Sequence, residues 1–146
     1  MDASAVTTSI IQVCEAYKRA VYDRDVEAFV GLYHAEARVF DTWGVWSYEG
    51  SAGRKKVVKE WFGSLGEERV SVTFDRIRTE VSDELAALSS RVVYVGLSAD
   101  GAELRSMQNR LTWVLRSGGK SWKILHEHTS VPIAFDDLKG LLRREP

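Results

Sequence analysis

The chain has 146 residues, of which 45% are hydrophobic and 28% charged, with a formal net charge of -1, a composition typical of one globular domain, 1–146. A net charge this close to zero creates no field that would attract nucleic acid or an anionic membrane, so neither is expected as a partner. The single cysteine, Cys14, excludes an internal disulfide, and no secretory signal or membrane span is recognisable, which predicts a soluble, cytoplasmic protein.

Three helices are predicted in the first half of the chain. Apolar residues recur at intervals of three and four over 4–32, and the polar insert YDRD at 22–25 divides this stretch into a long first helix and a short second one. A third helix is predicted over 54–65, preceded by a Gly-Ser pair that can cap it. The aromatic stretch 40–49, between the second and third helices, has no regular period.

Four long strands are predicted after Gly66, separated by the turn sequences SDE, SADG and RSGGKS. The four predicted strands are Val70 to Val81, Leu85 to Leu97, Ala102 to Arg116 and Ser121 to Val131. A change of phase between Phe74 and Ile77 predicts a β-bulge that bends the sheet. Asp136 and Asp137 are predicted to cap a short C-terminal helix over KGLLRRE. Helices followed by strands indicate an α+β fold with helices packed on one face of an antiparallel sheet.

Alternation along the last two strands predicts which side chains face the helices. In the last strand Trp122 and Ile124 share a face with His126 and His128, so both histidines are predicted to point inward. Glu127 and Thr129 are correspondingly predicted to point outward. In the preceding strand Met107, Leu111, Trp113 and Leu115 form the apolar face, which also carries the polar Asn109. A bent sheet with inward polar residues indicates a ligand cavity at its open end.

Three stretches resemble a known family. They are DRDVEAFVGLYHAEARVFD at 23–41, YEG before the third helix, and RLTWVLRSGGKSWKILHEHTSVPI at 110–133. Together they resemble the nuclear transport factor 2-like superfamily, in particular its SnoaL-like domains, over about 10–133. The resemblance implies a cone-shaped, cystatin-like roll with three N-terminal helices on a curved antiparallel sheet. It does not imply one function, because the superfamily includes isomerases, cyclases, dehydratases and members that only bind or assemble.

Resemblance to ketosteroid isomerase implies two catalytic roles. Tyr17 falls at the position of that family's oxyanion donor and Asp41 at the position of its general base, with the family's spacing of 24. The second oxyanion donor of the family is a protonated aspartate. Here Leu111, or with one gap Arg110 or Thr112, occupies that position, and none of these is a carboxylic acid. Asn109, on the same face, can donate an amide hydrogen bond instead.

The predicted site is one apolar pocket with a polar set of Asp, Tyr and His. The predicted catalytic residues are Asp41, Tyr17 and His126; the predicted ligand-binding residues are Phe40, Trp43, Trp46, Trp61, Asn109 and His128. Several alternatives stay open: the histidines can instead be structural, Asp41 can simply end a strand, and the aromatic stretch can border a pocket or a dimer interface. No cofactor and no metal are expected, because a histidine pair with i, i+2 spacing is only a weak metal signal.

Three functions are compatible with the sequence. The first is binding of a small apolar or carbonyl-containing ligand. The second is acid/base catalysis of the isomerase, dehydratase or cyclase type, in which Asp41 removes a proton next to a carbonyl and Tyr17 stabilises the enolate. The third is oligomerisation without catalysis, because WKILHEHTS resembles the association domain of calmodulin-dependent kinase. The resemblance also implies a homodimer through the outer sheet face, where Val114 and Leu125 are apolar.

Overall fold

The computed structural model describes residues 3–119 and 121–144. The helices in this part of the chain are α1 (Ala3–Asp23), α2 (Val26–Val30) and α3 (Gly50–Ser64). The strands are β1 (Tyr33–Phe40), β2 (Tyr48–Glu49), β3 (Arg69–Ser82), β4 (Leu85–Leu97), β5 (Glu103–Ser117) and β6 (Trp122–Ser130). None of these helices is long and apolar enough to cross a membrane.

The strands form one sheet in the order β2-β1-β6-β5-β4-β3. Strands β3 to β6 are a meander of antiparallel neighbours, as predicted, but β1 pairs with β6 in parallel. The sheet is therefore mixed, and the prediction of a purely antiparallel sheet was wrong. The fold class is α+β. The prediction missed β1 and β2, which lie in and beside the irregular aromatic stretch.

The core lies between the helices and one face of the sheet. α1 supplies Val6, Ile10, Val13, Tyr17 and Val21 at helical spacing, and α3 supplies Val58 and Phe62. From the sheet, Leu88, Val92, Leu111, Trp113, Leu115 and Ile124 point into the same layer and are almost wholly buried. This burial supplies most of the free energy of folding, at about 25 cal/mol per Å² of apolar area.

Two irregularities change the phase of long strands. The register of β3 against β4 shifts between Asp75 and Arg78, which confirms the bulge predicted between Phe74 and Ile77. A second shift lies in β6, where Val114 pairs with His126 and Leu115 with Ile124. Leu125 is thus the extra residue of a bulge. Because side chains alternate in a strand, one inserted residue turns every later side chain to the opposite face.

The predicted C-terminal helix is not present in the residues described up to Arg144. The chain instead turns at 135–137 and closes through a bridge between Ile133 and Gly140. Asp137 does not act as a helix cap, because its carboxylate accepts the N–H of Lys139 at 3.0 Å, an Asx turn. Farther on, the carbonyl of Leu142 accepts the N–H of Gln108 at 2.7 Å. The tail therefore pairs both with itself and with β5.

Candidate functional site

Glu127 is the centre of a buried polar cluster on the inner face of the sheet. Its side chain is 1% exposed. One carboxylate oxygen, Oε1, accepts the hydroxyl of Tyr33 at 2.6 Å and the indole N–H of Trp113 at 3.0 Å. The other, Oε2, accepts Nη2 of Arg54 at 3.1 Å. Three donors offset the cost of burying the carboxylate, and they leave Glu127 fixed in one orientation.

Arg54 links Glu127 to Asp41. It lies in the first part of α3, is buried, and places its guanidinium carbon 5.4 Å from the ring centre of Phe29. Its second terminal nitrogen, Nη1, is 3.6 Å from Oδ2 of Asp41. Burial acts to lower the pKa of Arg54, but the neighbouring Tyr33 and Glu127 outweigh it and raise the pKa well above its ordinary value. One permanent cation therefore stands between two carboxylates.

Asp41 follows the end of β1 and is oriented by two threonines. Thr129 accepts both the backbone N–H of Thr42, at 2.9 Å, and the hydroxyl of Thr42, at 3.0 Å. With its acceptor sites occupied, Thr129 donates its own proton to Oδ1 of Asp41, at 3.0 Å. The side chain of Asp41 remains 16% exposed, so it is held in place and still accessible.

Two phenols and an amide continue the polar surface. The hydroxyls of Tyr17 and Tyr94 are 2.9 Å apart. Burial raises the pKa of both tyrosines well above the ordinary value, so both remain neutral; one hydroxyl donates to the other, and one proton of the pair stays available. Asn109 is only 7% exposed, yet its Oδ1 has no hydrogen-bond partner among the described residues.

Two surface depressions lie away from this cluster. One, of about 350 Å³, is lined by residues that include Tyr22, Arg24 and Arg69. Another, of about 810 Å³, is lined by Ser82–Leu85 and Arg116. Neither is lined by a residue of the predicted site. Within 3–119 and 121–144, no group of three or more His, Cys, Asp or Glu side chains is arranged to hold a metal ion.

A comparison with family models matches residues 10–134 to the SnoaL-like domain. The chain belongs to the SnoaL-like domain family. This confirms the resemblance stated from the sequence. No curated protein sequence matches the chain at a significant level.

Solved structures support the same assignment. A nuclear transport factor 2-like protein of unknown function from Pseudomonas putida is 22% identical, covers 99% of each chain and superposes with a TM-score of 0.85. Aln2 from a Streptomyces species is 14% identical over 89% of this chain and 93% of its own, with a TM-score of 0.80. An uncharacterized protein with a cystatin-like fold from Caulobacter vibrioides is 15% identical over 86% and 89%, with a TM-score of 0.70. At these identities the likeness concerns the fold.

The SnoaL-like domain brings part of the predicted site together. Tyr17, Asp41 and Asn109 all lie on the inner side, Tyr17 on α1, Asp41 after β1 and Asn109 on β5. Trp61 also lies inside, but it packs against the core with its ring 5.0 Å from that of Phe62. The catalytic and binding roles assigned to these residues remain predictions.

The predicted inward orientation of His126 and His128 was wrong. The bulge at Leu125 turns both to the outer face and brings Glu127 and Thr129 inside. His128 is exposed, and Nδ1 of His126 lies 2.8 Å from the carbonyl oxygen of Arg38. His126 therefore does not lie beside Tyr17 to share its predicted task.

Phe40 lies on the same outer face as the two histidines. Its ring meets the rings of His126 and His128 edge-on, with centroids 5.0 and 5.5 Å apart. The preceding residue, Val39, is the buried one. Because β1 alternates, Phe40 faces away from the inner side, and the prediction that it lines the same pocket as Asp41 was wrong.

Two of the predicted ligand-binding tryptophans, Trp43 and Trp46, are largely exposed to solvent. Trp43 is 55% exposed and Trp46 is 96% exposed, both in the β1–β2 loop that begins after Asp41. The loop is tied at its start by the bonds of Thr42 and at its end by the pairing of Val39 with Tyr48.

The sequence interpretation missed several residues of the cluster, among them Arg54, Tyr94, Glu127 and Thr129. A signal existed for Arg54, which shares the helical spacing of the buried Val58 and Phe62. Tyr94 likewise lies two positions from the buried Val92. Glu127 and Thr129 gave no such signal, because their inward orientation depends on the bulge.

Proposed function

We propose that this SnoaL-like domain binds a small molecule on the inner face of its sheet, at the open end of a cone formed by the bent sheet and the helices. The proposed contacts are Asn109, the Tyr17–Tyr94 hydroxyl pair and Asp41. These groups come from α1, β4, β5 and the end of β1, so a ligand among them would be held from several sides. Membership of the family supports binding of this kind without indicating which molecule is bound.

The unpaired amide oxygen of Asn109 is the observation that carries the proposal. A buried polar group without a partner costs about 1–3 kcal/mol, and native proteins contain few of them. Its neighbours in the sheet are apolar, with Val92 directly opposite on β4 and Leu111 two residues on. A leucine at position 109 would fit that setting better. An asparagine there is explained if a ligand group completes its hydrogen bonds.

The other polar groups support the same site. The Tyr17–Tyr94 pair keeps one hydroxyl proton that is not used between the two phenols. Oδ2 of Asp41 accepts no hydrogen bond in the described residues, since Arg54 stands 3.6 Å away. A hydroxyl, amide or carbonyl group of a ligand would match these donors and acceptors.

Replacement of Asn109 tests the proposal. We expect Asn109→Leu to weaken binding of 2-naphthamide, a small neutral aromatic probe, by roughly tenfold, the value of one lost hydrogen bond in a dry site. The free energy of unfolding without probe should stay equal or rise, because an unpaired polar group is removed. Titration calorimetry and urea unfolding measure the two effects.

The matched control is Thr112→Val, on the exposed side of the same strand, which should leave both quantities unchanged. Equal affinity of Asn109→Leu and the unchanged chain would contradict the proposed site. A large loss of stability in Asn109→Leu would show instead that the amide has a structural partner.

Acid/base catalysis is a second candidate, favoured by the position of Asp41. Its carboxylate is oriented by Thr129, keeps a free oxygen, and shares the inner face with the tyrosine pair. We expect the chain to accelerate exchange of deuterium into the methyl group of 2-acetonaphthone, and Asp41→Asn to abolish that acceleration. Proton NMR measures the exchange. Absence of any acceleration by the unchanged chain would exclude this candidate for enolisable aryl ketones.

A further inference from the structure

We propose that the inner site admits uncharged ligands and rejects anions, so that carboxylates and phosphates are not its ligands. This inference rests on the proposed function and concerns the selectivity of the same site. It follows from how the charges of the buried cluster are arranged, and from which of its hydrogen-bonding groups are already in use.

Both terminal nitrogens of Arg54, the cation of the cluster, face carboxylates. Nη2 of Arg54 is bonded to Glu127 at 3.1 Å, and Nη1 faces Asp41 at 3.6 Å. The remaining nitrogen, Nε, is buried and has no hydrogen-bond partner in the described residues, so it offers a single N–H. The guanidinium lies against the rings of Phe29 and Tyr33, with its carbon 5.4 and 5.7 Å from their centres. A ligand carboxylate would therefore find no free fork of N–H donors, the geometry by which arginine recognises anions.

The field inside the site is negative. In the cluster, Glu127 and Asp41 are paired with the same cation, Arg54. Two carboxylates and one guanidinium give a formal charge of -1. Because the cluster is buried, this charge is screened less than it would be in water, and it opposes the entry of a second anion.

Apart from the free Oδ2 of Asp41 and the single buried Nε of Arg54, the groups that remain for a ligand are neutral. They are the amide of Asn109, unpaired at Oδ1, and the hydroxyls of Tyr17 and Tyr94. An amide or hydroxyl group both donates and accepts hydrogen bonds, so it can satisfy these partners in either orientation of the asparagine. A carboxylate only accepts, so it cannot satisfy the Asn109 oxygen. In the reversed orientation of the amide it can accept from the NH₂ group, but it still brings a second negative charge close to Asp41.

Two probes of the same shape distinguish the effect of ligand charge from the effect of steric fit. 2-Naphthamide and 2-naphthoate differ by one amide group against one carboxylate. We expect the amide to bind at least roughly tenfold more tightly at neutral pH, since a like charge a few ångströms away in a poorly screened site costs at least that much. The measured quantity is the ratio of the two dissociation constants from titration calorimetry on the full chain.

Asp41→Asn removes one negative charge while keeping an oxygen that can accept from Thr129, and we expect it to reduce the ratio severalfold. The control is Glu36→Gln, the same change of charge at an exposed position on β1, which should leave the ratio unchanged.

The outcomes are distinct. Binding of 2-naphthamide together with much weaker binding of 2-naphthoate supports the inference. Equal binding of both probes, or tighter binding of the acid, overturns the inference while the proposed function stands. Binding of neither probe overturns the proposed site and the inference together. Because the ratio is measured on the unchanged chain, the result does not depend on either variant folding.

Discussion

Replacing Glu127 by glutamine tests whether the buried cluster holds the fold together. The substitution keeps the shape of the side chain but turns one oxygen into an NH₂ group. If that group takes the place of Oε2, it faces Nη2 of Arg54, which lies 3.1 Å from Oε2, donor against donor. If it takes the place of Oε1, it faces the indole N–H of Trp113, which can only donate. Either orientation leaves a buried donor unpaired.

The expected loss of stability depends on the ion pair that Arg54 keeps with Asp41. Removing one partner of a buried ion pair costs about 3–5 kcal/mol. Because Arg54 keeps Asp41 at 3.6 Å, we expect the lower end, about 3 kcal/mol, which lowers Tm by roughly 10 °C in a chain of this length. Urea unfolding followed by tryptophan fluorescence measures the change in free energy of unfolding.

The control for Glu127→Gln is Glu36→Gln, an exposed carboxylate on β1, which should change stability by less than about 0.5 kcal/mol. A loss below about 1 kcal/mol for Glu127→Gln would refute the reasoning, since that value is typical of a surface pair. The double variant with Arg54→Met should lose less than the sum of the two single losses, because both changes break the same pair.

Two further predictions concern buried titratable groups. Burial raises the pKa of Tyr17, Tyr33 and Tyr94, so above about pH 10 the unfolded chain releases these protons while the folded chain keeps them. The free energy of unfolding should therefore be constant with respect to these groups below about pH 10 and should fall above it, by up to about 1.4 kcal/mol per tyrosine and pH unit. Urea unfolding at about pH 9 and about pH 11 checks this, and an unchanged free energy would contradict it; Tyr94→Phe should reduce the fall by about a third. Burial also raises the pKa of Cys14 to about 12, so the folded chain should react with a thiol reagent roughly a thousandfold more slowly than the urea-unfolded chain, and comparable rates would disprove its burial.

The sequence was sufficient to predict the helices and the long strands because their periods are strong. α1 repeats apolar residues every three or four positions, and β4 was predicted with its observed bounds. The phase of β5 was also predictable, since Leu111, Trp113 and Leu115 leave no doubt about the apolar face. Family resemblance then placed Tyr17 and Asp41 on the inner side, where the structure has them.

The orientation of β6 was not predictable from alternation. Both of its possible faces carry one apolar residue at the centre, Ile124 or Leu125, and inserting a bulge between them leaves no mark in composition. Tertiary interactions decide the register of β6, because only the bulged register lets Glu127 accept hydrogen bonds from three donors, on β1, α3 and β5. Similarly, the tail residues resemble a capped helix, but the unpaired edge of β5 offers them better partners.

The parallel pairing of β1 with β6 has a consequence for how the protein folds. Tyr33 and Glu127 are separated by 94 positions, and Asp41 and Thr129 by 88. Contacts this distant in sequence are closed late and slow the search for the native state. During synthesis on a ribosome, one edge of β1 would remain unpaired until β6 has emerged and paired with it. Ordering of the inner polar groups would then coincide with the final step of maturation.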